Sequence, residues 1–286
     1  MRSLLVKKSL SCTGLKPSCN ALGCRYTISL QKYRYLTDGN SVFLTALEAL
    51  HRRLSIPSLV KPGMVGVVVS VGYPLSPDSS SVFDHPRRIW DLTPPAPGRD
   101  PAEGGADEFI DFISDEVRRL AHRRLQETRG VNPGKEALYG HSFGGLFCLH
   151  TLFTRPNLFD CFIASSPSIW WNNKCLLREE ASFCEMNMDD SREAHKPSLM
   201  MFVGGQEQNP PRYRKEKDKE YEERLQIHQE WRMIDNVRES YARLENSGKF
   251  SHTSCMVYEG EDHGTIMSCS LSRGLVTFLE DWPYRI

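Results

Sequence analysis

The sequence predicts an α/β fold, a mostly parallel central sheet covered by helices on both faces. Three observations predict it. Strand-like apolar runs alternate with helix-like stretches along the chain, the order that a parallel sheet with crossover helices requires. One run, Gly66-Val67-Val68-Val69-Ser70-Val71, is almost continuously apolar and β-branched, as suits a strand buried on both faces. A glycine-rich turn, Gly140-His141-Ser142-Phe143-Gly144-Gly145, stands between a strand-like and a helix-like segment.

The elements follow in order. Tyr33 to Leu36 reads as a strand ending in the turn Thr37-Asp38-Gly39-Asn40, with a helical period over Ser41 to Leu54. After the valine-rich strand, residues 74–106 are rich in Pro, Ser, Gly and Asp and read as a long surface excursion. Phe109, Ile110, Ile113, Val117, Leu120 and Ala121 fall on one face of a helix over Asp107 to Gln126. Glu136 to Tyr139 is a short strand before the glycine turn, and Leu146 to Phe153 the helix after it. Cys161 to Ala164 and Ser198 to Val203 are further core strands. The mixed-charge run 210–224 reads as a solvated helix or loop, with a lid over the site (208–226) as the sharper alternative. A helix over Gln226 to Glu245, a strand over His252 to Tyr258 and a closing helix over Leu271 to Leu279 complete the chain.

Residues 26–286 are read as one domain, since α/β units of this length are common, and residues 1–25 as an irregular N-terminal segment. Residues 1–37 carry Arg2, Lys7, Lys8, Lys16, Arg25, Lys32 and Arg34 and no acidic residue. That pattern admits an organelle-targeting segment but lacks the apolar stretch of about 7–15 residues of a secretory signal. The reading adopted is a cytoplasmic protein with an irregular start.

Lys plus Arg and Asp plus Glu both number 36, for zero net charge. No field draws the chain to nucleic acid or a membrane surface, and no apolar run approaches the ~20 residues that span a bilayer. Nine cysteines are scattered without a C-x-x-C pair. They read as free thiols of a reducing compartment rather than a zinc or redox site. No metal and no organic cofactor is expected.

The chemistry is carried by Gly140-His141-Ser142-Phe143-Gly144, a G-x-S-x-G turn. A serine hydroxyl is a weak nucleophile and must be held exposed on a sharp turn within reach of a base. Ser142 is the expected nucleophile. The base should follow in chain order, and His263, in Glu261-Asp262-His263-Gly264 after the last strand, lies where open α/β sheets gather their ligands. His252 begins that strand at the wrong edge, and His141 inside the turn is more plausibly structural. Glu207, after the strand ending at Val203, stands between Ser142 and His263 and is the expected acid. A Ser–His pair without a third member stays open. The oxyanion hole should combine the Phe143 N–H with one from Gly39 or Asn40.

With these residues in hand, the sequence resembles the enterochelin-esterase-like siderophore esterases, relatives of esterase D with the α/β-hydrolase fold. The resemblance rests on Leu36 to Asn40, Val71-Gly72-Tyr73-Pro74, Arg88 to Pro94, Tyr139 to Gly145, Ser165 to Trp171 and Glu261 to Gly264. It implies a serine esterase that hydrolyses ester bonds of a siderophore to release intracellular iron. The cysteines and the charged insertion look more like a fungal member, and the resemblance to fungal relatives, which cleave hydroxamate siderophores, implies triacetylfusarinine C as substrate. Trp170 and Trp171 are expected in the substrate pocket or, for one of them, in the core. Arg88 is expected to bind substrate or to hold the long loop through Asp91, and Arg87 and Arg99 add no strong basic pocket. The stretch before Asp38 is shorter than the family's usual pair of N-terminal strands, so order is not expected in residues 1–32. A general carboxylesterase or thioesterase and a non-catalytic siderophore-binding protein remain the rivals.

Overall fold

Strands β1 (Gln31–Leu36), β2 (Gly66–Ser70), β3 (Pro133–His141), β4 (Cys161–Ser165), β5 (Ser198–Gly204) and β6 (His252–Tyr258) pair in the order β2-β1-β3-β4-β5-β6. Every pairing is parallel. The computed structural model describes residues 31–56, 66–95, 98, 100, 102–130, 132–186 and 196–280. The expectations for residues 1–30 and for Arg99 lie outside them, whereas Gln31 and Lys32, for which the sequence predicts no order, begin β1.

Ten α-helices connect and cover the described strands: α1 (Gly39–Leu54), α2 (His85–Leu92), α3 (Ala106–Phe112), α4 (Arg119–Arg129), α5 (Phe143–Thr154), α6 (Trp171–Lys174), α7 (Leu176–Glu185), α8 (Asp218–Trp231), α9 (Met233–Glu245) and α10 (Ile266–Leu279). Successive strand residues face opposite ways, so the central strands feed two cores. Leu138, Phe162, Leu199 and Met201 join α3, α5, α7 and α9 on one face. Tyr139, Ile163, Met200 and Phe202 join α1 and α10 on the other. This is why those strands read as unbroken apolar runs.

The order reverses between β1 and β3: β1 leads through α1 to β2 on one side, and β3 leads through α5 to β4 on the other. The two helices cover opposite faces. Their N-termini therefore open into one crevice at the carboxyl ends of β1 and β3, the switch point where such sheets bind ligands.

Three expectations need correction. The excursion 74–106 contains α2, begun by an Asp84 side chain that accepts the Arg87 N–H and by Pro86 in the first turn. That start signal is legible, but the helix buries only Arg88, Asp91 and Leu92, too few apolar residues to show a period. The helix expected over Gln226 to Glu245 is two. Arg232 takes φ 47°, and Asn236 Nδ2 donates to the freed Trp231 carbonyl at 2.8 Å. The first of these helices starts inside the charged run, at Asp218, and buries none of its residues. The helix over Asp107 to Gln126 forms in pieces, α3 and α4 flanking a π-helical stretch at Ile113–Arg118.

One buried ionic cluster binds three helices. His150 of α5, with its side chain 1% exposed, meets Glu179 of α7 through Nδ1 at 2.7 Å and Asp107 of α3 through Nε2 at 3.3 Å. A neutral imidazole has one N–H and satisfies only one carboxylate. Burial alone would lower the His150 pKa, but the two carboxylates outweigh it and raise the group to about 9. The folded value lies above the unfolded one of about 6.5. The stabilisation is therefore complete below about pH 6.5 and disappears as pH rises through 9. It is worth on the order of 3 kcal/mol. Thermal melts from pH 6 to 10 are expected to show the gap between wild type and His150→Gln closing as pH rises. A gap constant with pH would show that His150 is neutral in the fold.

Candidate active site

Ser142 follows β3 and opens α5 with φ 60° and ψ −117°, a strained conformation of the kind kept at functional sites. The glycines around it make the turn feasible. A methyl group on Gly140 would stand 1.9 Å from the Gly144 carbonyl oxygen, and one on Gly144 would stand 2.4 Å from Thr37 Oγ1. The turn is clamped from β4: Ser142 N–H donates to the Ser165 carbonyl at 2.9 Å, and Ser168 N–H donates to the Ser142 carbonyl at 3.2 Å. Ser142 Oγ lies 3.4 Å from the Ser168 hydroxyl.

Glu207 and His263 come together from the loops after β5 and β6. His263 Nδ1 donates to Glu207 Oε2 at 2.6 Å. The carboxylate, 1% exposed, also accepts on Oε1 from Gly204 N–H at 2.7 Å and from the Ser166 hydroxyl at 2.5 Å. Two donors thus fix a buried acceptor whose remaining partner is the imidazole. Asp262 is no rival acid, because its Oδ1 accepts the Gly264 and Thr265 N–H groups and shapes the turn carrying His263. His141 packs its ring 4.6 Å from that of His263 and bonds the His263 backbone and the Ser165 hydroxyl. Burial, then the neighbouring His263 and Arg88, hold its pKa well below the ordinary histidine value. A neutral His141 supports the loop of His263.

The oxyanion donors are narrowed by the structure. Gly39 N–H is donated to the Val71 carbonyl at 2.8 Å, so the expectation for Gly39 is corrected: its hydrogen is committed. Ser41 and Val42 N–H groups turn back to the Asp38 carbonyl. Asn40, between them, sits in the first turn of α1, where N–H groups lack intrahelical acceptors. Its side chain is clamped by Tyr73, which donates N–H to Oδ1 at 2.7 Å and accepts from Nδ2 at 3.0 Å. Phe143 holds the matching position at the start of α5.

Two expected substrate residues serve other ends. Arg88, 8% exposed, donates Nε to Asp38 Oδ1 at 2.7 Å and Nη2 to the His141 carbonyl at 3.1 Å. It ties the β1 turn to the Ser142 turn and is spent on that, while the salt bridge to Asp91 is made by Arg87 at 3.6 Å. Trp171 is buried in the core. Trp170 is only partly buried, 6.2 Å from the Phe143 ring, and stacks on Trp231 at 4.9 Å and 8°.

Comparison with known proteins identifies the family. Residues 20–240 match the family model described as "Putative esterase". The siderophore triacetylfusarinine C esterase of Aspergillus fumigatus is 45% identical over 87% of this chain and 82% of its own length. The chain belongs to this esterase family. The siderophore enterobactin esterase of Emericella nidulans is 42% identical over 85% of this chain and 80% of its own. The structure of siderophore hydrolase EstB from Aspergillus nidulans superposes with a TM-score of 0.83 at 43% identity, covering 92% of this chain and 87% of that one. The fold is thus the mostly parallel α/β-hydrolase type.

Within the esterase, sequence reasoning missed Trp231 and His228. Both lie on α8, in the part read only as the start of a helix over Gln226 to Glu245, and no buried residue marks α8. His228 Nδ1 donates to the Glu207 carbonyl at 2.7 Å, which anchors α8 beside Glu207. The two tryptophans, distant in sequence, gave no local signal of their stack. Ser166 and Ser168 were visible only as part of the Ser165 to Trp171 match.

The surroundings of Glu207 set an expectation for Glu207→Gln. Gly204 N–H and the Ser166 hydroxyl hold an oxygen at the Oε1 position, so the amide nitrogen falls opposite His263 Nδ1. Nδ1 must then accept, and the proton moves to the nitrogen that should receive one. The expected loss in kcat is about 10³–10⁴-fold, below that of His263→Ala at about 10⁴–10⁶-fold. Steady-state turnover of p-nitrophenyl acetate checks it, and unchanged kinetics in Glu207→Gln would place the acid elsewhere.

Proposed function

We propose that this esterase hydrolyses ester bonds of a siderophore by acyl transfer through Ser142, with His263 as base and Glu207 as the orienting acid. The observation that carries the reading is the Glu207–His263 pair, its carboxylate held by two further donors, at the same sheet edge as the Ser142 turn. His263 Nε2 takes the hydroxyl proton as Ser142 Oγ attacks the carbonyl carbon. The N–H groups of Asn40 and Phe143, at two helix N-termini, hold the developing oxyanion. The imidazolium then protonates the leaving alkoxide, and water, deprotonated by the same base, releases the acid. Iron enters only as part of the substrate.

Relatives named for triacetylfusarinine C and for enterobactin support the siderophore class. A ferric hydroxamate is the better match to the charges. A trianionic ferric catecholate calls for unpaired cations, whereas Arg88 is bound to Asp38, and Arg232 at the end of α8 to Asp235 and Glu239. A partly exposed aromatic wall of Trp170 and Trp231 suits a bulky, uncharged chelate. In this reading α8 lies as a lid, fastened by His228 and Trp231 and buried nowhere along its length. No helix among the described residues is long and apolar enough to cross a membrane. The cytoplasmic location is proposed on the scattered cysteines, read as free thiols of a reducing compartment.

Mass spectrometry of ferric triacetylfusarinine C incubated with wild type and with Ser142→Ala tests the proposal. Stepwise addition of water by wild type alone is the expected result. Intact substrate in both, with p-nitrophenyl acetate still cleaved, would keep the esterase and discard this siderophore.

A further inference from the structure

Ser166 is fully buried at the end of β4 and takes φ 41°, a left-handed conformation that glycine adopts freely and serine rarely does. Its backbone is pinned there, since its N–H donates to the Phe202 carbonyl at 2.7 Å. Its hydroxyl donates to Glu207 Oε1 at 2.5 Å. The other donor to that oxygen, Gly204 N–H at 2.7 Å, ends β5, three residues before Glu207 in the same segment. Ser166 instead belongs to the strand whose next-door residue, Ser165, accepts the Ser142 N–H at 2.9 Å. It is the link between the acid's carboxylate and the segment that clamps the nucleophile turn.

The backbone at this position suits glycine, and the residue present supplies a hydroxyl aimed at a buried carboxylate. Strain of this kind persists where function requires it. With the Gly204 donor alone, the carboxylate can turn about its terminal torsion, which is broad for glutamate. Two donors from different strands fix its plane so that Oε2 faces His263 Nδ1. We propose that Ser166 is a positioning residue whose hydroxyl sets the orientation of Glu207, and through it that of His263. The proposal rests on Ser142, His263 and Glu207 being the triad.

Ser166→Ala and Ser166→Gly separate the hydroxyl from the backbone. Both remove the donor, but only glycine relieves the positive φ. With p-nitrophenyl acetate, both variants are expected to lose kcat about 10- to 100-fold at unchanged KM. The glycine variant should melt a few degrees above the alanine variant. Ser142→Ala is run beside them. Wild-type turnover by Ser142→Ala would overturn the triad, and this proposal with it. An inactive Ser142→Ala together with wild-type kcat in either Ser166 variant would overturn the role of Ser166 alone. So would a kcat that follows the melting temperature from one variant to the other, since a merely structural residue behaves in that way.

Discussion

Replacing Ser142 by alanine is expected to lower kcat by about 10⁴–10⁶-fold while changing stability by less than ~1 kcal/mol. The activity loss follows from the architecture. In the proposed mechanism the Ser142 hydroxyl is the nucleophile presented by the strained turn, and residual rate can come only from the oxyanion donors and binding. The small stability change follows from the contacts. Alanine keeps the backbone bonds from Ser142 to Ser165 and Ser168 and the same φ of 60°, and gives up one side-chain contact, 3.4 Å from Ser168 Oγ. Turnover and thermal melts of the same preparation check both halves. A variant that turns over at a tenth of the wild-type rate would remove Ser142 from the chemistry. A large fall in melting temperature would show that the hydroxyl supports the turn.

The second large effect is on folding. Gly140→Ala is expected to cost about 4 kcal/mol or more, or to prevent accumulation of folded protein. The added methyl would stand 1.9 Å from the Gly144 carbonyl oxygen and 2.2 Å from its carbon. Both are backbone atoms in the first turn of α5, so no rotamer change relieves the overlap. Gly140 also pairs with Ala164 on β4, so β3 cannot retreat without breaking the sheet. Denaturant unfolding measures the cost. Stability within 1 kcal/mol of wild type would mean that strand and helix separate more readily than this packing implies.

The central strands were legible because they are buried on both faces. Leu199 to Val203 and Phe162 to Ala164 have no polar positions to blur the pattern. By contrast, β2 is an edge strand of the described sheet with only Val67 buried, which corrects the expectation that its valine run is covered on both faces. The Ser142 turn was legible because glycine-only contacts leave a mark in sequence. Elements that earn their place through polar contacts were not. The helix α2 is held by Arg88 on Asp38 rather than by an apolar stripe, and α8 by a tryptophan stack and a histidine on a carbonyl. Chain order alone could not choose between Gly39 and Asn40, since the choice depends on Val71 claiming one N–H. The Trp170-Trp171 pair was likewise undecided, because neighbouring residues of one type fell on opposite sides of the core boundary.

The most direct test of the account is covalent labelling with diisopropyl fluorophosphate, which phosphorylates a serine only where a base and an oxyanion hole activate it. Wild type is expected to gain one adduct, mapped by peptide mass spectrometry to Ser142. Ser142→Ala should gain none, and His263→Ala should react far more slowly. An adduct on another residue, or an unlabelled wild type that still cleaves esters, would contradict the assignment of Ser142 as the nucleophile.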